Sequence, residues 1–278
     1  KDVAQVLCGK SVHSVHTDEI IFTGGGTESN NLAIQGVLKS WAHTHGQFDV
    51  LPHVVISAIE HPSVKKLVEH LVSENKITAS FVGIKEKGLI DMAELKEIFQ
   101  TQKNIILVSI MMVNNELGTI QPMADIASLI RKYRKGSGTM YPIFHTDACQ
   151  APNYLDMPVD KIGVDLLTLD GGKIYGPRGV GCLYIKRNTP IHKVFFGGAQ
   201  EGDMRPGTEN LPGIVGFATA LKLVHKDKEK ENKRLRKFQE YIKANLPTHV
   251  SINGTMDTEK RISNNINICL PDIDSEFA

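Results

Sequence analysis

Short runs of β-branched and other apolar residues recur along this chain, and stretches of helical period separate several of them. The runs cover residues 20–23, 54–57, 80–82, 105–110, 143–145, 166–169 and 182–185, while apolar residues at helical spacing fill 28–38, 63–72, 92–99 and 123–133. Most runs are apolar at consecutive positions, so both faces of each strand need cover. Strands of that kind alternating with helices predict an α/β domain built on a mostly parallel, buried sheet. With 278 residues, 41% hydrophobic and 23% charged, the chain is long enough for one large domain and part of another.

The pattern changes past residue 213. Ile214, Val215, Phe217, Ala218, Leu221 and Leu223 trace a long apolar helix that turns charged over residues 226–237. That run reads as a solvated helix face with pairs such as Glu229 with Lys233, rather than as a nucleic-acid patch. It is expected to connect two domains, with residues 250–253 and 264–270 forming the first strands of a smaller second one. The formal net charge of +1 points to neither nucleic acid nor a membrane surface as partner. No apolar stretch reaches the roughly 20 residues that span a bilayer, and the start lacks a signal-peptide core. Cys8, Cys149, Cys182 and Cys269 lie far apart, which argues against a disulfide framework or zinc site and for a reducing cytoplasm. The opening on Lys1 and the ending Asp274-Ser-Glu-Phe-Ala278 read as a processed, trimmed or fragmentary chain.

Open α/β sheets place ligands beyond the carboxyl ends of their strands, and there the polar residues of this chain collect. Residues 20–32 give a strand, the turn Gly24-Gly-Gly26-Thr27 and a helix start, a junction suited to phosphate. A nucleotide P-loop is disfavoured because no Gly-Lys-Ser/Thr follows. Glu60-His61-Pro62-Ser63 follows the second run, where His61 is a candidate to stack on a flat cofactor. Asn114-Asn115-Glu116 follows the fourth; an amide there can donate to a phenolate or a substrate carboxylate, or can close an Asx turn. Asp147 and Gln150 follow the fifth, and Lys173, in Asp170-Gly-Gly-Lys173-Ile-Tyr-Gly-Pro, follows the sixth. A lysine amine that can hold an aldehyde as a Schiff base, with a carboxylate to pair with a pyridinium nitrogen, reads as a pyridoxal phosphate (PLP) site. The polar loop 197–210 offers a further phosphate contact. His43, His45 and His53 show no ligand spacing, and no metal site is expected.

Taken in order, residues 23–34, Glu60-His61, residues 113–118, Thr146-Asp147-Ala-Cys-Gln150, Lys173-Ile-Tyr-Gly-Pro-Arg-Gly and Arg205-Pro-Gly-Thr208 resemble the cysteine desulfurase family of class V aminotransferase-like enzymes, to which selenocysteine lyases are similar. The resemblance runs from Glu19 onward. It implies a PLP-dependent transferase of fold type I. The PLP-binding large domain would span residues 1–225, with an incomplete N-terminal segment. Residues 226–278 would be the connecting helix and the start of a truncated small C-terminal domain. It further implies that Lys173 holds the cofactor, Asp147 pairs with its ring nitrogen, and His61 stacks on the ring and assists proton transfer. Gln150 and Asn115 would lie at the phenolic oxygen, Gly26 and Thr27 at the phosphate, and Thr208 at the phosphate of a neighbouring subunit in a homodimer. The implied reaction moves sulfur from L-cysteine to an enzyme cysteine, leaving L-alanine and a persulfide. A sulfur-acceptor protein would follow, as in iron-sulfur cluster assembly.

Two departures qualify that expectation. None of the four cysteines matches the family's persulfide cysteine, which lies in a C-terminal loop past the end of this chain; the chain alone is therefore expected to be inactive. Relatives commonly carry Ser-Gly-His before the lysine, whereas this chain has Asp170-Gly171-Gly172, which removes phosphate hydrogen bonds and sets a carboxylate beside the phosphate position. The alternatives are a selenocysteine lyase or other carbon-sulfur lyase, and a non-catalytic dimerising relative.

Overall fold

The computed structural model describes residues 1–9, 15–46, 50–85 and 87–271. The ending at 274–278 lies outside them. A sheet of seven strands forms the centre, in the order β1 (Ile20–Thr23), β7 (Gly181–Ile185), β6 (Leu166–Asp170), β5 (Ile143–Asp147), β4 (Ile105–Ser109), β2 (His53–Ser57) and β3 (Thr78–Val82). The pairs from β6 to β3 are all parallel, whereas β7 runs against both β6 and β1. Every one of the expected strands is present, each within three residues of its expected ends. Because β7 reverses the direction twice, β1 points the same way as β6, and the register sets Thr23, Gly181 and Asp170 in one row. The carboxyl ends of β1, β2, β4, β5 and β6 therefore share one edge of the sheet.

Helices cover both faces. The first face carries α2 (Gly26–His45) and α3 (Pro62–Ser73), whose Leu32, Val37, Val64 and Val68 pack on Val54, Ile56, Leu107 and Leu166. The second carries α4 (Met92–Thr101), α5 (Met123–Ser137) and α6 (Val159–Ile162), where Leu95, Ile126 and Ile162 join Val55, Val108, Phe144 and Leu167. Neighbouring residues of one strand thus enter opposite layers, which is why the runs are apolar throughout. The chain begins with α1 (Asp2–Cys8), a seven-residue helix whose Val3, Ala4, Val6 and Leu7 join the second layer.

The long helix α7 (Leu211–Asn245) is continuous through residues 225 and 226. Its 35 residues extend about 52 Å at 1.5 Å per residue. The expected pair Glu229–Lys233 is not among its contacts. Arg234 pairs instead with Glu231, and Lys228, 8% exposed, turns inward to pair with Asp156. The buried flank of α7 meets the body of the protein at that point, so the charged run is solvated on one side only. Strands β8 (Ser251–Asn253) and β9 (Asn267–Cys269) form a separate antiparallel pair. Their connection reaches back to the turn after β4: Ile120 N–H donates to Lys260 O, Ile262 N–H to Gly118 O, and Asn265 Nδ2 to Glu116 O. Arg261, fully buried, ties this segment together through the carbonyls of Asn253, Thr255 and Asn265. Among the described residues no helix is long and apolar enough to cross a membrane, and no group of side chains has the make-up of a metal site.

Candidate active site

A cavity of about 270 Å³ opens at the shared strand edge. Gly26, Thr27, His61, Asn115, Asp147, Gln150 and Lys173 all line it, together with Ser63, Met111, Cys149 and Asp170. Larger clefts, of about 910 Å³ between α4 and α5, about 740 Å³ along α7 and about 560 Å³ beside the glycine turn, do not bring Lys173 and Asp147 together. Volume alone would favour those clefts; the convergence of chemistry on one sheet edge favours the smaller one.

Asp147 forms the floor. It is 6% exposed, and each carboxylate oxygen has a donor: Cys149 N–H reaches Oδ1 at 3.0 Å and Asn30 Nδ2 reaches Oδ2 at 2.7 Å. Asn30 lies one turn into α2, and the same Nδ2 lies 2.9 Å from Ser63 Oγ near the start of α3. Ser63 in turn faces His61 Nδ1 at 2.8 Å with its hydroxyl and donates its backbone N–H to that nitrogen at 3.2 Å. His61 thereby caps α3. A ring nitrogen that accepts from a backbone N–H carries no proton, so neutral His61 holds its proton on Nε2. Fixed donors hold Asp147, and a fixed acceptor role orients His61.

Behind this wall sits Glu60, 5% exposed. Its Oε1 accepts from Ser57 Oγ at 2.5 Å and Met111 N–H at 2.7 Å, while Oε2 has no partner among the described residues. Burial pushes its carboxyl up to about 8, against the two donors and with help from the Asp147 charge. Asn114 supplies the Asx turn, accepting from the N–H groups of Glu116 and Leu117, and Asn115 is left to face the cavity. Lys173 is exposed, and its Nζ has no hydrogen-bond or ion-pair partner among the described residues. The turn that carries it is anchored by Asn153 Nδ2, which donates to the Lys173 carbonyl at 2.8 Å.

The opposite end of the cavity is the start of α2. Gly25 caps that helix with φ 145°, a backbone shape that needs glycine, and offers no side-chain acceptor. Asp170 supplies one from the end of β6: Oδ2 accepts from Gly26 N–H at 2.8 Å, and Oδ1 from Gly172 N–H at 2.8 Å. A Cβ on Gly26 would meet Cys149 Sγ at 2.9 Å, so the backbone here forms a close-walled cradle.

Other groups have structural duties. Burial, then the charge of Asp147, raises the Cys149 thiol far above the usual thiol range, and burial raises Cys182 as well. Neither is a ready thiolate. His145, within β5, is held to Ser109 and Thr168 and pushed down to about 4 by burial. Arg205 pairs with Glu28 at 2.8 Å, so the loop 197–210 reaches the glycine turn through a carboxylate. Thr208 is exposed and does not line its own chain's cavity. Asn30, Ser63 and Glu60 were not singled out from the sequence. Asn30 and Ser63 lie close to candidates along helices, yet their partners come from other elements; Glu60 stands directly before His61, but its burial is not legible there.

The residues fit a pyridoxal-type cofactor at the ring end: a buried, donor-fixed carboxylate, an unpartnered lysine amine, an oriented imidazole and two amides surround one cavity. At the tail end the cradle is present, with its first N–H held by Asp170. Comparison with known proteins agrees with this chemistry. A family model described as aminotransferase class-V matches residues 3–277. Cysteine desulfurase IscS of Dictyoglomus turgidum is 37% identical over 263 residues, covering 94% of this chain and 62% of that protein. Human selenocysteine lyase is 35% identical over 293 residues, covering 97% of this chain and 64% of the lyase. A solved NifS-like protein superposes with a TM-score of 0.85 at 30% identity, over 98% of this chain and 69% of its own. The chain spans less than two thirds of the length of these curated relatives.

Proposed function

The chain belongs to the class-V aminotransferase family, and from that premise we propose that its cavity binds PLP and serves a cysteine desulfurase, which converts L-cysteine and an acceptor thiol into L-alanine and a persulfide. The observation that carries the reading is the placement of Lys173 and Asp147 on one cavity, with the amine free and the carboxylate fixed. PLP, when bound, supplies an aldehyde for an amine and a ring that stores negative charge. Asp147 sets a negative charge at the cavity floor, where a ring nitrogen would be held protonated. Lys173 Nζ would hold the group through its aldehyde and is the amine that would carry a proton to and from the substrate Cα. His61 would cover one face of the ring and presents Nε2, its remaining ring nitrogen, toward the cavity for proton transfer. Gln150 and Asn115 would offer amides to the phenolic oxygen and the substrate, and Gly26 and Thr27 would flank the phosphate at the helix end, where Asp170 holds the Gly26 N–H.

The thiol that receives the sulfur is neither Cys149 nor Cys182, whose protons are held by burial. The division at residues 225/226 and a homodimer in which the exposed Thr208 reaches the partner's cradle belong to the same reading. So does a cytoplasmic setting, for which the wide spacing of the four cysteines along the sequence is the support. Names among the relatives favour both cysteine and selenocysteine as substrate. Incubation of the PLP-loaded protein, extended to the full length of its relatives, with each amino acid and a dithiol acceptor tests the reading by release of alanine. Lys173→Ala should lower that release by at least about a hundredfold. Alanine from neither substrate would contradict it, and alanine from selenocysteine alone would favour the lyase.

A further inference from the structure

We infer that Asp170 is a built-in anion at the tail end of the cavity, and that it makes this protein discriminate against a phosphorylated tail relative to an uncharged one; the inference rests on the pyridoxal reading above. The start of α2 gathers N–H donors at one end of the cavity, and the Gly25 cap has no side chain with which to satisfy them. Asp170 fills that role from the end of β6. One oxygen takes Gly26 N–H at 2.8 Å and the other takes Gly172 N–H at 2.8 Å, so the carboxylate bridges the helix end and the turn that carries Lys173. The cradle is close-walled: Asp170 Cβ stands 3.4 Å, and Cys149 Sγ 2.9 Å, from where a Cβ on Gly26 would lie.

An incoming phosphate needs the same donors. It must either displace the carboxylate, breaking both hydrogen bonds and loosening the 171–174 turn, or sit against it with like charge. An uncharged hydroxymethyl tail meets neither obstacle. The adjoining groove, of about 560 Å³, is also walled by Asp170, so a tail leaning outward stays beside the same charge. Tail charge and the turn that carries Lys173 are therefore coupled through one side chain.

Equilibrium titration of the purified chain with PLP and, separately, with unphosphorylated pyridoxal, read by visible absorbance and intrinsic fluorescence, tests this. Asp170→Asn, nearly isosteric and neutral, should tighten PLP binding at least tenfold and change pyridoxal binding by less than twofold. Asp170→Ser serves as the second variant, and thermal melting checks that each is folded. PLP affinity unchanged within twofold in both folded variants, with pyridoxal still bound, would overturn the Asp170 assignment and leave the cofactor reading standing. Binding of neither vitamer to any of the three proteins would overturn both. Equal tightening of PLP and pyridoxal would assign Asp170 a steric role and overturn the charge argument.

Discussion

Glu60 carries its proton at neutral pH because burial costs a carboxylate more than Ser57 Oγ and Met111 N–H return. Its folded value of about 8 lies above the unfolded one of 4.5, so its contribution to stability is complete below the unfolded value and is lost as pH rises through 8. Buried His145, lowered to about 4 from 6.5, acts in the opposite sense below pH 6.5, where the unfolded chain takes up the extra proton. The two therefore offset each other in mildly acidic solution. Between pH 6.5 and 8 the Glu60 slope stands out, at up to about 1.4 kcal/mol per pH unit for one proton. Urea unfolding across that range should show stability falling in the wild type and a flatter profile in Glu60→Gln. An unchanged slope in the variant would show that Glu60 is ionised in the folded protein. The neighbouring His61 was legible from its place after a strand. Glu60 was not, because its burial depends on Met111 arriving from β4.

At the scale of elements, Asn30 joins three of them: from α2 it holds Asp147 at the end of β5 and Ser63 at the start of α3. The strand ends fix where Asp147 and His61 emerge, and this amide fixes how they face. Asn30→Ala removes the amide donor to Asp147 Oδ2 and leaves a buried carboxylate oxygen without it, so it should cost about 1–3 kcal/mol in urea unfolding. A second readout separates positioning from bulk stability: nitrogen NMR of neutral His61 should find the proton on Nε2 in the wild type. Ser63→Ala keeps the backbone donor and should preserve that tautomer; a proton on Nδ1 in the wild type would refute the orientation. The strands, α2 to α5 and the start of α7 follow from apolar spacing, because each buries a continuous face. Seven-residue α1 escaped notice, since Val3, Ala4, Val6 and Leu7 make too short a pattern and owe their burial to the body they pack on. The inward turn of Lys228 was hidden for a similar reason, its partner Asp156 lying far away in sequence.

In the whole molecule, one sheet carries residues from five strand ends to a single edge, and the double reversal at β7 brings the glycine turn of α2 beside Asp170. The sequence placed Gly26, Thr27, His61, Asn115, Asp147, Gln150 and Lys173 after strands, and all seven line one cavity. Thr208 alone of the expected site residues stands apart from it. What the order of motifs left illegible was the contact between residues 26 and 170, since it expected Asp170 to repel an anion and gave no sign that the side chain itself caps α2. The central claim is that this edge holds a pyridoxal cofactor through Lys173. Borohydride reduction of the PLP-loaded chain followed by peptide mapping measures it directly. A pyridoxyl group is expected on Lys173 and none in Lys173→Ala; a folded, PLP-saturated protein in which Lys173 remains unmodified would contradict the assignment.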